Sequence, residues 1–216
     1  MLLKTIGFNG SHRLKWSKNS NGLRWHNLRF PRFSSNRFRQ APSHRDVLVG
    51  YYVLFFIHLE TRRVNLAGFT PYPDQGWMEQ QARNMTMEEW GCLRSCRYLL
   101  YDRDTKFCES FRELIKTRSV HPLRLPARSP NLNSYAERWV RSVKEECLSR
   151  LILVGESSLR RALQQYTVHY HEERNHQGKG NRILFPSQTK ARRKEGAVRC
   201  RERLGGLLKY YEREAA

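Results

Sequence analysis

Acidic residues are scarce in this chain. Across 216 residues, 20 Asp+Glu stand against 40 Lys+Arg, a formal charge of +20. That excludes an acidic scaffold. So basic a chain repels itself unless it meets a polyanion, so nucleic acid is the first partner to expect and an anionic membrane surface the second. No apolar run reaches the length that crosses a bilayer as a helix. The opening residues Met1–Thr5 are not followed by the apolar stretch of a signal peptide. Cysteine is sparse too. Cys92, Cys96, Cys108, Cys147 and Cys200 include no CxxC pair, which argues against a disulfide-dense module and for free thiols in a reducing, cytoplasmic setting. Cys92 and Cys96 have half of a zinc spacing, and the other half is absent, so ordinary packing is expected of them.

The charge is also uneven. Residues 1–45 hold ten Lys+Arg and no Asp or Glu, and they show no hydrophobic period. By composition, residues 1–46 read as a basic segment without fixed structure. Residues 187–216 read as a basic tail carrying Lys190, Arg192, Arg193 and Lys194, with a short helix near Leu204–Tyr211. Between them, residues 47–186 have the patterning of one folded domain, long enough to bury a core.

Tyr51–Ile57 is a continuous apolar run and predicts a strand buried on both faces. A polar turn, Glu60–Arg63, leads to a second strand over Val64–Thr70, making a hairpin. A helix is predicted over Gln75–Met87, a strand over Arg97–Tyr101, a helix over Cys108–Thr117 and a strand over Val120–Leu125. A loop, Arg128–Asn133, precedes two helices, Ser134–Leu151 and Ser158–Glu173. A hairpin followed by this alternation is a mixed α/β layer.

Asp102 directly follows the apolar strand that ends at Tyr101, in Leu99-Leu100-Tyr101-Asp102-Arg103-Asp104-Thr105-Lys106-Phe107. Glu137 follows 35 positions later, in Pro126-Ala127-Arg128-Ser129-Pro130-Asn131-Leu132-Asn133-Ser134-Tyr135-Ala136-Glu137. In spacing and context the two resemble the second Asp and the Glu of the Asp-Asp-Glu triad in the integrase core shared by retroviral integrases and insertion-sequence transposases. Tyr52–Val64 is similar to that family's second-strand hairpin. His169-Tyr170-His171 through Arg174-Asn175-His176-Gln177-Gly178 is similar to its closing segment, with Asn175 where the family usually has Pro. The resemblance covers roughly residues 47–186, and Arg201–Ala216 is similar to a tail seen in some members.

The resemblance implies an RNase H-like mixed sheet flanked by helices, acting in DNA integration or transposition with Mg²⁺ or Mn²⁺. Phosphodiester exchange uses two hard cations about 4 Å apart, one activating the attacking hydroxyl and one steadying the leaving oxygen, and such cations take carboxylate oxygens. Asp102 and Glu137 would be the catalytic and metal-binding residues, with Asp104 an alternative to Asp102. Arg128, Asn131, Asn133, Arg141 and Lys144 would contact DNA. The partners implied are element ends and target DNA, together with further copies of the chain, since two ends must be joined. No membrane and no small-molecule substrate is implied.

Plainer readings stand beside these. Asp102 fits a turn carboxylate. Ser134-x-x-Glu137 fits a capping box. Glu137, Arg141 and Lys144 share one flank of the helix, about 100° from a stripe of Ala136, Val140, Val143 and Cys147, and fit an ordinary salt-bridged surface.

The chain departs from the family at the triad's first Asp, which belongs on a first strand about 15 residues before Tyr51. Counting back reaches Asn36, and no carboxylate precedes Asp46. The first strand is therefore expected to be missing or replaced, leaving the Tyr51–Ile57 strand short of a partner. Residues 1–46 would then be a frameshifted or otherwise non-homologous stretch, and the chain a truncated, catalytically impaired copy. The competing reading is a non-catalytic basic protein that binds nucleic acid.

Overall fold

The computed structural model describes residues 1–8, 29–31, 48–186 and 197–213. Asn36, Asp46 and the basic cluster Lys190, Arg192, Arg193 and Lys194 lie outside them. The main sheet holds six strands: β1 (Leu2–Phe8), β2 (Arg29–Pro31), β3 (Leu48–Ile57), β4 (Val64–Thr70), β5 (Tyr98–Tyr101) and β6 (His121–Arg124). Its order is β2-β3-β1-β5-β6, with β4 paired to β3. The helices are α1 (Gln75–Thr86), α2 (Glu109–Lys116), α3 (Ser134–Glu146) and α4 (Gly155–Glu172). The mixed α/β architecture expected from the sequence is present.

β3 is the strand the apolar run predicted, and period two explains why it is buried on both faces. Val53, Phe55 and Ile57 join one core with α3 and α4, while Leu54 and Phe56 join a second core with α1 and α2. Each helix presents its apolar stripe to one of these faces. On α3 that stripe is Ala136, Trp139, Val140 and Val143, and the Trp139 ring lies 4.3 Å from that of Phe55. α1 starts where Asp74 caps it, its Oδ1 accepting the Trp77 N–H at 2.8 Å.

The sheet position left missing or replaced in the sequence reading is filled by Leu2–Phe8. β1 pairs antiparallel with β3, from Leu2 opposite Ile57 to Phe8 opposite Tyr51. On its other edge it runs parallel to β5, with Leu2 beside Leu100 and Leu3 beside Tyr101. Two corrections follow. The 1–46 segment is not without structure throughout, because both of its described stretches are strands. The Tyr51–Ile57 strand does not lack a partner. The Leu-Leu-Lys-Thr-Ile-Gly-Phe stretch is apolar and β-branched enough to pair, and averaging composition over 45 residues hid it.

The tail is also corrected. Instead of a helix near Leu204–Tyr211 there is a hairpin of β7 (Val198–Arg203) and β8 (Leu208–Arg213). Its turn takes Leu204, Gly205 and Gly206 through φ values of 53°, 66° and 85°. A right-handed helix cannot hold three such residues, and only glycine takes that conformation without steric cost. The Arg203 guanidinium docks the hairpin on α4 by pairing with the deeply buried Glu173 carboxylate, at 2.7 Å at its shortest.

Candidate active site and nucleic-acid interface

The end of β5 holds the two candidate aspartates in different ways. Asp102 leaves the strand half-buried, and its Oδ1 accepts the Asp104 N–H at 3.1 Å. The turn that the plainer reading proposed is therefore present. Both Asp104 oxygens lie 3.0 Å from the Lys106 ammonium, and Oδ1 also accepts the Lys106 N–H at 3.0 Å. Phe107 anchors the loop, buried with its ring 5.6 Å from Tyr101 and 5.7 Å from Phe111. A carboxylate neutralised by its own neighbour is a poor cation ligand, which counts against Asp104.

The route to Glu137 starts at β6. Arg128 is exposed and turns the chain with φ 56°. The predicted loop tightens into a 3-10 turn over Pro130–Asn133. Asn131 is exposed and Asn133 half-buried, with the Asn133 Oδ1 buried and lacking a hydrogen-bond partner. Asn133 is the N-cap of α3, and Ser134 is already helical at φ −58° and ψ −33°. A capping box needs its Ser in the cap position with extended backbone, so that reading of Glu137 does not hold. α3 ends at Glu146, short of the predicted Leu151, and a second 3-10 turn follows over Leu148–Arg150.

On the α3 flank, Glu137 is half-buried and Arg141 exposed. Lys144 is half-buried, and desolvation lowers the pKa of its ammonium. Trp139 stacks on Phe55, and Phe55 pairs across the ladder with Lys4. The β1–β5 register runs to the Leu3–Tyr101 pair, so β1 lies between β3 and β5.

What the arrangement does not bring together is a third carboxylate. Leu2–Phe8 has no Asp or Glu. Among the described residues, no group of three or more His, Cys, Asp or Glu side chains is placed to hold a metal ion. Asp102 and Glu137 have the hard oxygens that Mg²⁺ or Mn²⁺ takes, but two carboxylates without a third do not fit a metal pair. All five cysteines are free.

The closing segment proves to be a brace, which its residue types did not reveal. His171 Nε2 accepts the Val64 N–H at 2.9 Å, and burial, with Arg63 nearby, pushes its imidazole down to about 4. His176 Nε2 donates to the Tyr170 carbonyl at 2.8 Å. The Arg174 fork grips Glu146 at 2.6 and 2.8 Å, and the Tyr166 hydroxyl donates to the same carboxylate at 2.9 Å. Arg62 lies 3.4 Å over the Tyr135 ring, and Lys179 donates to the Glu60 carbonyl at 3.1 Å. Together these contacts tie the ends of α3 and α4 to the β3–β4 turn.

Residues 118–183 match the family model of the integrase core domain. This stretch, under a third of the chain, is similar to an integrase core. It holds Glu137, Arg128, Asn131, Asn133, Arg141, Lys144 and the brace, and it leaves out Asp102 and the strands before it. Two solved structures are similar in part. One is the catalytic core domain of BIV integrase, at 13% identity, covering 62% of this chain and 82% of that one, with a TM-score of 0.40. The other is a simian T-cell lymphotropic virus intasome in complex with the PP2A regulatory subunit B56 gamma, at 9% identity, covering 79% of this chain and 63% of that one, with a TM-score of 0.39. None of the curated proteins compared matches the chain. Among the described residues, no helix is long and apolar enough to cross a membrane.

Proposed function

We propose that this chain is a mobile-element integrase or transposase copy that binds DNA but is impaired in strand transfer. The observation that carries the reading is the makeup of β1. β1, paired beside β5, has no Asp or Glu along Leu2–Phe8, so this strand offers no carboxylate to a cation. Binding needs no metal. The net charge of +20, the exposed Arg128 and Asn131 and the α3 flank with Arg141 support a phosphate-tracking surface. Lys144 sits deeper, where its charge works at short range. Joining two element ends calls for more than one copy, so multimers form on DNA.

The test uses purified full chain and a duplex carrying the terminal repeats of its element, with Mg²⁺ or Mn²⁺. The expected result is salt-dependent binding without joined product. Lys4→Asp restores a third carboxylate and is expected to bring back metal-dependent nicking. Strand transfer by the unsubstituted chain would overturn the impaired reading, and absence of DNA binding at low salt would overturn the DNA reading.

A further inference from the structure

A second charged feature lies on the other face of the sheet from α3. At the C-terminal ends of β5 and β6, beside α2, a cleft of about 240 Å³ opens. Three guanidiniums line it, each from a different element: Arg103 from the loop after β5, Arg112 from α2 and Arg124 from the end of β6. Arg103 is fixed by its Nε–H, which donates to the Leu125 carbonyl at 3.3 Å, and among the described residues it has no ion pair. Arg124 is exposed and has none either. Arg112 is the deepest of the three, its side chain 26% exposed. Its terminal nitrogens meet the Tyr101 hydroxyl and Glu109, while its Nε is buried with no hydrogen-bond partner.

The acid in the lining does not cancel this charge. Asp104, the one acid in the lining, is paired with Lys106, and Glu109, which meets Arg112 from outside the lining, leaves Arg103 and Arg124 unanswered. Two unpaired guanidiniums and one orphaned buried N–H therefore converge on a small concave space. An unsatisfied buried donor is costly and calls for an acceptor. A guanidinium fork matches the oxygens of a phosphate better than any other common ligand.

We infer that this cleft is a phosphate-binding site formed by Arg103, Arg112 and Arg124. If the chain binds DNA as proposed above, the group held is a backbone phosphate additional to those met along α3. The same chemistry would hold free phosphate. In either case the site is independent of Glu137 and of the basic flank of α3.

The test titrates inorganic phosphate into the full chain by calorimetry, with chloride holding ionic strength constant. The Arg103→Gln/Arg124→Gln double variant is compared with Arg150→Gln/Arg160→Gln, which removes equal charge from the α3–α4 side. Both cleft arginines are exposed, and matching thermal melts check that the fold survives. Arg103→Lys/Arg124→Lys keeps the charge and loses the forks. We expect one phosphate per chain, an affinity at least tenfold weaker in the cleft Gln variant, an intermediate value in the Lys variant and no change in the control. On duplex DNA, the slope of log K against log salt should fall by about one in the Gln variant. Weaker phosphate binding with an unchanged DNA slope would keep the site and assign it to free phosphate. Equal phosphate binding in all four proteins, or none in any, would overturn the inference. If the unsubstituted chain ignores DNA, the proposed function fails while the phosphate titration still decides the cleft.

Discussion

Two carboxylates two residues apart are held differently at the end of β5. Asp104 is spent on Lys106, whereas Asp102 accepts the backbone N–H of Asp104. An amide oxygen accepts that N–H equally well, so the N–H is not orphaned in Asp102→Asn, which should change stability by no more than about 1 kcal/mol. DNA affinity should stay within about threefold, since the carboxylate adds no attraction for phosphate. Chemical denaturation and fluorescence anisotropy check the two halves. His171 gives the pH dependence. Its imidazole must stay neutral to accept the Val64 N–H, and its pKa is about 4 in the fold against about 6.5 in an open chain. Between these values the unfolded chain binds more protons. Stability is therefore flat above about pH 6.5 and falls as the pH drops towards about 4. His176, also lowered by burial, adds in the same direction. Melting temperatures from pH 8 to 4 should show this fall, and His171→Gln should reduce it.

Strands and hairpins, rather than single residues, account for where the sequence was legible. The bounds of β4 and the helix stripes were readable because their apolar periods are local and strong. β1 was not, because seven pairing residues sit inside a basic stretch and their partners lie far along the chain. Only the ladder shows that they belong to the sheet centre. The tail hairpin was misread for the opposite reason. Leu204, Leu207, Leu208 and Tyr211 fall at helical spacing, and the Gly205-Gly206 turn was the signal against it. Of the candidate site, what was legible is position: Asp102 follows a strand, and Glu137 and Arg141 lie on one helix. The Arg103, Arg112 and Arg124 cleft was not, because three elements must meet to make it. Two outcomes belong to this scale. Ile6→Pro removes a donor to β3 from a central strand, opposite Val53, and should abolish cooperative unfolding, as read by circular dichroism. Glu173→Gln strips the Arg203 guanidinium of its buried partner and should cost about 3–5 kcal/mol, as read by denaturant titration.

For the molecule as a whole, charge governs affinity. With 40 basic residues and 20 acidic ones, binding to any duplex should weaken steeply with salt, by a factor of about 10³ or more between 50 and 200 mM if six or more phosphates are met. Equilibrium binding across that range, on related and unrelated duplexes, separates this general attraction from recognition of element ends.

The place of β1 in the sheet also sets a timetable for synthesis. Leu2 leaves the ribosome early, but its parallel neighbour Leu100 is 98 positions later. At about 5–20 residues per second, the strand waits roughly 5–20 s for that neighbour. For that interval an apolar segment travels unpaired on one edge, beside a positively charged stretch and close to ribosomal RNA. Production of soluble protein should therefore depend on chaperones that shield nascent chains.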